Sequence, residues 1–202
     1  MWWMAAALAA ELRLVGFSAG GSLATVVIVE PAGAGWTAEV QTMDVARGTW
    51  NHFPVVATGP DADAAARAAL AAVPPGFATG PGPGAVVRTW AEGSRSHEHD
   101  AEHVVVHHVA LSGGEATLRL VERPTGGRCG DTPAVEPWAT WIVNGVGSER
   151  LADRVPRRWP ACAVAFELDR VWAGPAGRAL AAVRVLEMVN GATRVRWLLI
   201  SR

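Results

Sequence analysis

Five of the six histidines fall in the run His97-Glu98-His99-Asp100-Ala101-Glu102-His103-Val104-Val105-Val106-His107-His108. Imidazole nitrogen suits Zn²⁺ and Cu²⁺, and the interleaved Glu98, Asp100 and Glu102 add favourable charge for either cation. Alternate residues of an extended chain share a face. His97 and His99 therefore point to one side, His103 and His107 share their parity, and His108 faces the other way. On a helix His99, His103 and His107 would stack instead, but the β-branched Val104-Val105-Val106 opposes a helix there. A metal site on His97, His99, His103 and His107 is one expectation. The other is a solvated polar loop running into a strand, with no cofactor at all.

Gly16-Phe17-Ser18-Ala19-Gly20 fits the nucleophile pattern G-x-S-x-G. That chemistry needs a strand, a strained turn that lifts the serine, and a helix behind it. Here the residues after the turn, Leu23 to Val29, are dense in β-branched types and meet Pro31 too soon for a helix. A triad would have to take Asp44 or Asp100 and one of His103, His107 or His108, and nothing in the spacing selects among them. Ser18 is expected in a hairpin turn, and no residue is assigned to catalysis.

The two cysteines, Cys129 and Cys162, form no C-x-x-C pair. They fit a single disulfide in an oxidising compartment, or two separate buried thiols. The histidine run also comes close to the H-x-H-x-D-H of metallo-β-lactamase-like hydrolases, but Asp100 and His103 each stand one place off. No histidine follows His108 to supply the later ligands. Ten tryptophans, with Trp138, Trp141, Trp159, Trp172 and Trp197 late in the chain, suit either a β-core or a binding groove, and packing is the expectation.

The elements that must hold these residues are mostly strands. Alternation or β-branched runs predict strands at Glu11–Phe17, Ser22–Glu30, Thr37–Val45, Trp50–Val56, Ala85–Trp90, His103–Leu111, Glu115–Glu122, Trp138–Asn144, Ala163–Trp172, Arg178–Val189 and Thr193–Ile200. Tight turns are predicted at Ser112-Gly113-Gly114 and, most clearly, at Asn190-Gly191. One alanine-rich helix is predicted over about 61–73, opened by Asp61 or Asp63 and closed by Pro74-Pro75-Gly76. The fold class is therefore mainly β: antiparallel meanders forming a sandwich-like or partial propeller-like domain with one α-helix.

The chain has 202 residues, enough for one sizeable domain, and is half hydrophobic with 18% charged residues, which argues against global disorder. A formal net charge of −1 supplies no field for nucleic acid. All 18 basic residues are arginine. No stretch approaches the roughly 20 consecutive apolar residues of a transmembrane helix. At the start, Ala7-Leu8-Ala9 matches the A-x-A cleavage pattern of a secretory signal, though the charged n-region is missing and the apolar core is short. The competing reading is an apolar tail or a misplaced start codon. Residues 1–10 are read as a signal-peptide remnant and 11–202 as a single mainly-β domain, periplasmic or secreted.

The order of motifs resembles a bacterial family of predicted secreted proteins, domain of unknown function family 2259. Its members open with a strand and G-F-S-x-D-G-R-Y-x-A-F-E, where this chain has Gly16-Phe17-Ser18-Ala19-Gly20-Gly21-Ser22-Leu23-Ala24. Met43-Asp44-Val45 with Trp50 stands in the place of the family's second motif, and an alanine-rich helix follows. Leu151 to Cys162, with Arg154, Pro156, Arg157 and Arg158, looks like the family's basic lead into a cysteine. The family's opening aspartate is Gly20 here, and its closing G-F-E-G-P-D-R-R-F is reduced to the run from Asn190 to Trp197. The resemblance implies export, a single domain and pairing of Cys129 with Cys162, and it carries no activity. The Phe17-Ser18 turn also looks like one blade hairpin of a TolB-type β-propeller, and one hairpin cannot close a ring.

The expectation that follows is an exported protein without a catalytic centre, acting by binding or beside an envelope protein partner. The alternatives are a periplasmic metal-binding protein using the 97–108 histidines and, third, a serine hydrolase on Ser18.

Overall fold

The computed structural model describes residues 10–74, 85–87, 89–92, 103–111, 114–143, 146–148 and 162–201. These residues are mostly antiparallel strands in three sheets with one α-helix, so the mainly-β class holds. Contacts divide the chain into two compact units, Met1–Asp44 with Thr49–Pro83 and Val45–Gly48 with Gly84–Arg202.

In the first unit β1 (Glu11–Phe17), β2 (Leu23–Ala32), β3 (Gly35–Asp44) and β4 (Thr49–Gly59) pair in sequence order as a four-stranded meander. The alternation read in the sequence sets its faces: Ala38, Val40 and Thr42 are buried, while Glu39 and Gln41 between them are only half-buried. The helix α1 (Ala62–Ala71) begins where Asp61 Oδ1 accepts the Ala64 N–H at 2.7 Å, a side-chain cap. Its buried Ala65, Ala66 and Ala69 rest on Val27, Val29, Ala38 and Val40. Small side chains let the helix lie close to the strands. Gly59 carries this furthest, because a Cβ there would run into the backbone of Ala64 and Ala65.

The second unit holds two sheets. One has the order β10-β9-β8-β7-β6, made from β6 (Thr89–Glu92), β7 (His103–Leu111), β8 (Gly114–Cys129), β9 (Thr132–Val143) and β10 (Val146–Ser148). The other has the order β13-β12-β11-β5, made from β5 (Ala85–Val87), β11 (Ala163–Ala173), β12 (Ala179–Val189) and β13 (Ala192–Ser201). Their inner faces share one apolar core. Val109, Leu118, Leu120 and Trp141 come from the first sheet, and Phe166, Val171, Val183, Leu198 and Ile200 from the second. This is a sandwich-like unit, with period-2 alternation feeding one core from both sides.

The largest differences from the sequence reading lie in the second unit. The single strand expected over Ala85–Trp90 is two strands in different sheets: β5 pairs with β11 and β6 with β7. The chain crosses between sheets within a few residues, and each half covers an edge that would otherwise stay open. β8 runs on past Glu122 to Cys129, because a register shift between Pro124 and Arg128 absorbs the Pro/Gly-rich run as a bulge. β9 likewise starts at Thr132, six residues before the expected Trp138. The Asn190-Gly191 turn forms as expected: φ is 51° and 79°, the left-handed pair that a type I′ turn requires, with Val189 opposite Ala192. Among the described residues no helix is long and apolar enough to cross a membrane.

Candidate functional site: the ionisable end of the second unit

Ser18 belongs to the β1–β2 hairpin. Its Oγ accepts the Leu23 N–H at 3.0 Å and lies 3.3 Å from Ser22 Oγ. The backbone closes the turn with Ser18 N–H to Leu23 O and Gly21 N–H to Ser18 O, and Gly21 takes φ 69°. A strand follows the turn, not a helix, so the geometry of a nucleophile elbow is absent. The serine hydroxyl serves to shape a hairpin.

Of the four histidines expected at a metal, His97 and His99 lie outside the described residues. His103 and His107 are both in β7 and share the parity of the core residue Val109, so they sit on the inner face of their sheet. They are four residues apart along the strand, about 13 Å at 3.3 Å per residue. The environments also differ. His103 Nδ1 is 2.9 Å from Glu122 Oε2, directly across the β7–β8 ladder. His107 is half-buried beside apolar neighbours, and desolvation pushes its imidazole below the usual histidine range. His108 faces the other side, with Nδ1 3.0 Å from Glu115 Oε1. Among the described residues no three His, Cys, Asp or Glu side chains come together as a metal cluster.

Glu122 does more than hold His103. Its other oxygen, Oε1, accepts the Phe166 N–H of β11 at 2.6 Å. One carboxylate thus ties β7 and β8 of one sheet to β11 of the other. A charge-assisted bond to a backbone N–H is among the stronger hydrogen bonds available.

Close along the chain are the thiols. Cys129 ends β8 and is 2% exposed, while Cys162 is half-buried just before β11. The sequence separates them by 33 residues (162 − 129), and the fold brings them to 2.6 Å without a disulfide between them. The expected pairing partners thus stand side by side, and no disulfide joins them here. Burial, together with the hydrogen bond to Cys162, pushes the Cys129 thiol up to about 11.

Glu187 completes this end. Its register partner on β11 is Ala163, next to Cys162, and Cys162 O accepts the Met188 N–H at 2.9 Å. The Glu187 side chain is 1% exposed, with Arg196 Nε 3.2 Å from Oε1 but not aligned as a hydrogen bond, and neither oxygen has a hydrogen-bond partner among the described residues. Desolvation raises the Glu187 carboxyl above its usual range, and the positive charges of Arg196 and Arg194 only partly oppose it.

The sequence reading missed Glu122 and Glu187. A signal was there. Ala116, Leu118, Leu120, Glu122 and Val183, Val185, Glu187 are both apolar alternations that end in an acid on the inward parity. The tryptophans divide as expected for packing: Trp141 and Trp172 are buried, and Trp138 is half-buried with the Arg123 guanidinium 4.1 Å over its ring. Trp159 lies outside the described residues.

Compared with known proteins, the chain finds no match among family models, curated proteins or solved structures.

Proposed function

We propose that this is an exported protein of the cell envelope that acts by binding rather than by catalysis, with Cys129 and Cys162 joined once it reaches an oxidising compartment. The contact between the chain's only two cysteines carries the reading. Side-by-side thiols from distant parts of a chain become a covalent link where oxidants reach them, and stay reduced in a cytosol. The A-x-A run at Ala7-Leu8-Ala9 and the resemblance to a secreted family support the same reading. The test is expression of the full chain with its own N-terminus in a bacterial host, followed by intact mass in each cell fraction. The reading expects a shortened chain in the periplasm, lighter by the two hydrogens of a disulfide. A full-length, fully reduced chain confined to the cytoplasm overturns it.

His103 favours metal binding as a second reading. A carboxylate on Nδ1 fixes an imidazole with Nε2 presented, the arrangement that orients histidine ligands, and His103 Nε2 is buried with no hydrogen-bond partner among the described residues. The same purified chain then binds Zn²⁺ or Cu²⁺ stoichiometrically and tighter than about micromolar, roughly −8 kcal/mol. The binding is lost in His103→Ala and in His97→Ala/His99→Ala. Weak binding that survives both substitutions ends this reading.

A further inference from the structure

Cys129 and Cys162 are equivalent in composition and unequal in the fold. Cys129 is the last residue of β8, pairs with Thr132 across a turn whose Gly130 takes φ 64°, and is 2% exposed. Cys162 stands one residue ahead of β11 and is half-buried. Its backbone is held by the Met188 N–H on Cys162 O, and its side chain is 2.6 Å from that of Cys129. Among the described residues Cys162 is the more exposed of the two, so a reagent from solvent meets it first.

We propose that the pair is a thiol–disulfide exchange site with a fixed order, in which Cys162 is the entry sulfur, Cys129 the resolving sulfur, and a small-molecule disulfide the oxidant. The inference rests on the exported reading for the compartment in which it operates. In the first step Cys162 gives up its proton to solvent, and its thiolate attacks one sulfur of the small disulfide. That S–S bond breaks, one small thiolate leaves, and a mixed disulfide forms on Cys162. In the second, Cys129 loses its proton and attacks Cys162 Sγ. The mixed disulfide breaks and the second small thiolate leaves. Two protein thiols are oxidised, one small disulfide is reduced to two thiols, and both protons end on the departing thiolates.

The environments suit these roles. A thiol raised to about 11 is almost wholly protonated at neutral pH and makes a poor first attacker. Held beside the mixed disulfide, the same thiol needs no encounter from solution, and proximity offsets its small thiolate fraction. The product joins the end of β8 to the start of β11, the two strands already bridged by Glu122 Oε1 and the Phe166 N–H. The exchange thus places a covalent link where the sheets of the second unit already share a polar one.

The test uses the reduced full chain with oxidised glutathione, acid quenching and intact mass. Cys129→Ser is expected to stop at the first step and keep one glutathionyl group on Cys162. Cys162→Ser is expected to stay unmodified under native conditions and to become modified in denaturant. The unsubstituted chain loses two hydrogens and accumulates no adduct. As a check independent of substitution, brief alkylation of the reduced unsubstituted chain with peptide mapping should label Cys162 at least about tenfold faster than Cys129. Equal labelling, or native glutathionylation of Cys162→Ser as fast as that of Cys129→Ser, overturns the order. Failure of the exported reading would instead show as an unprocessed cytoplasmic chain, and it leaves this order intact.

Discussion

The two units bury sheet faces by the same alternation and differ in what else they bury. The first closes over Val, Ala and Met, and its buried polar residues among those described are Thr25 and Thr42, whose hydroxyls lie 3.4 Å apart. Its charged groups meet on the surface, as where Arg13 joins Glu11 and Asp63. The second unit holds His103 with Glu122, Glu187 with Arg196, and two thiols at or near one end of its core. A sandwich does not need buried ionisable groups to pack, and each costs desolvation. Among the described residues the first unit buries a hydroxyl pair and the second a set of titratable groups.

The largest expected effect comes from the side chain on which the second unit's core depends most. Trp141 is 0% exposed and lines the shared core, with its indole N–H lacking a partner among the described residues. Trp141→Ala should cost about 3–5 kcal/mol in urea unfolding. Hydrogen exchange should quicken in β8, β9, β11 and β12 while β2 and β3 keep their protection. Equal loss in both units would break the comparison, since it would mean one cooperative block. Gly59→Ala is the converse probe. The added methyl meets the α1 backbone and should cost about 1–3 kcal/mol, read as lost protection in β3, β4 and α1.

The smallest effect is the sharpest, because it tests burial of charge directly. Glu187 has a raised carboxyl pKa in the folded chain. The folded state therefore holds its proton at pH values where the unfolded chain has released it, and stability falls as pH climbs upward from the ordinary carboxyl value of 4.5. Glu187→Gln removes that penalty. It should raise the urea midpoint at pH 7 by an amount worth about 1 kcal/mol or less, and the gain should vanish as pH falls below 4.5. A loss of stability at pH 7 would show that the Arg196 contact outweighs desolvation, and that the second unit gains from the charge it buries.

Much of the fold was legible because local rules decide it. The strand Glu11–Phe17 is observed with the bounds read from alternation, as is His103–Leu111. Asn190-Gly191 specified its turn because few residue pairs take two positive φ values cheaply. Ser18 was legible for the same reason: glycines followed by a β-branched run leave a hairpin as the local solution. The division of Ala85–Trp90 was not, since both halves read as strand and only the choice of neighbour separates them. The extension of β8 was hidden by Pro124 and the glycines, which end a strand in local terms and form a bulge once a partner strand is present.

The candidate site was legible in its residue types and not in its groupings. The histidine run drew attention to β7, yet strand geometry spreads His103 and His107 along the sheet and gives His103 to Glu122. That partner is 19 residues away (122 − 103) and matters only through register.

The sequence by itself determined the class, most of the strands, the helix and the Asn190-Gly191 turn, because period-2 hydrophobicity, β-branching and positive-φ residues act within a few positions. Only the tertiary structure decided that Glu122 bridges two sheets, that Glu187 is buried, and that Cys162 meets Cys129. Those depend on which strands pair and in what register. A shift of one residue in β8 would turn Glu122 outward and leave every local preference satisfied.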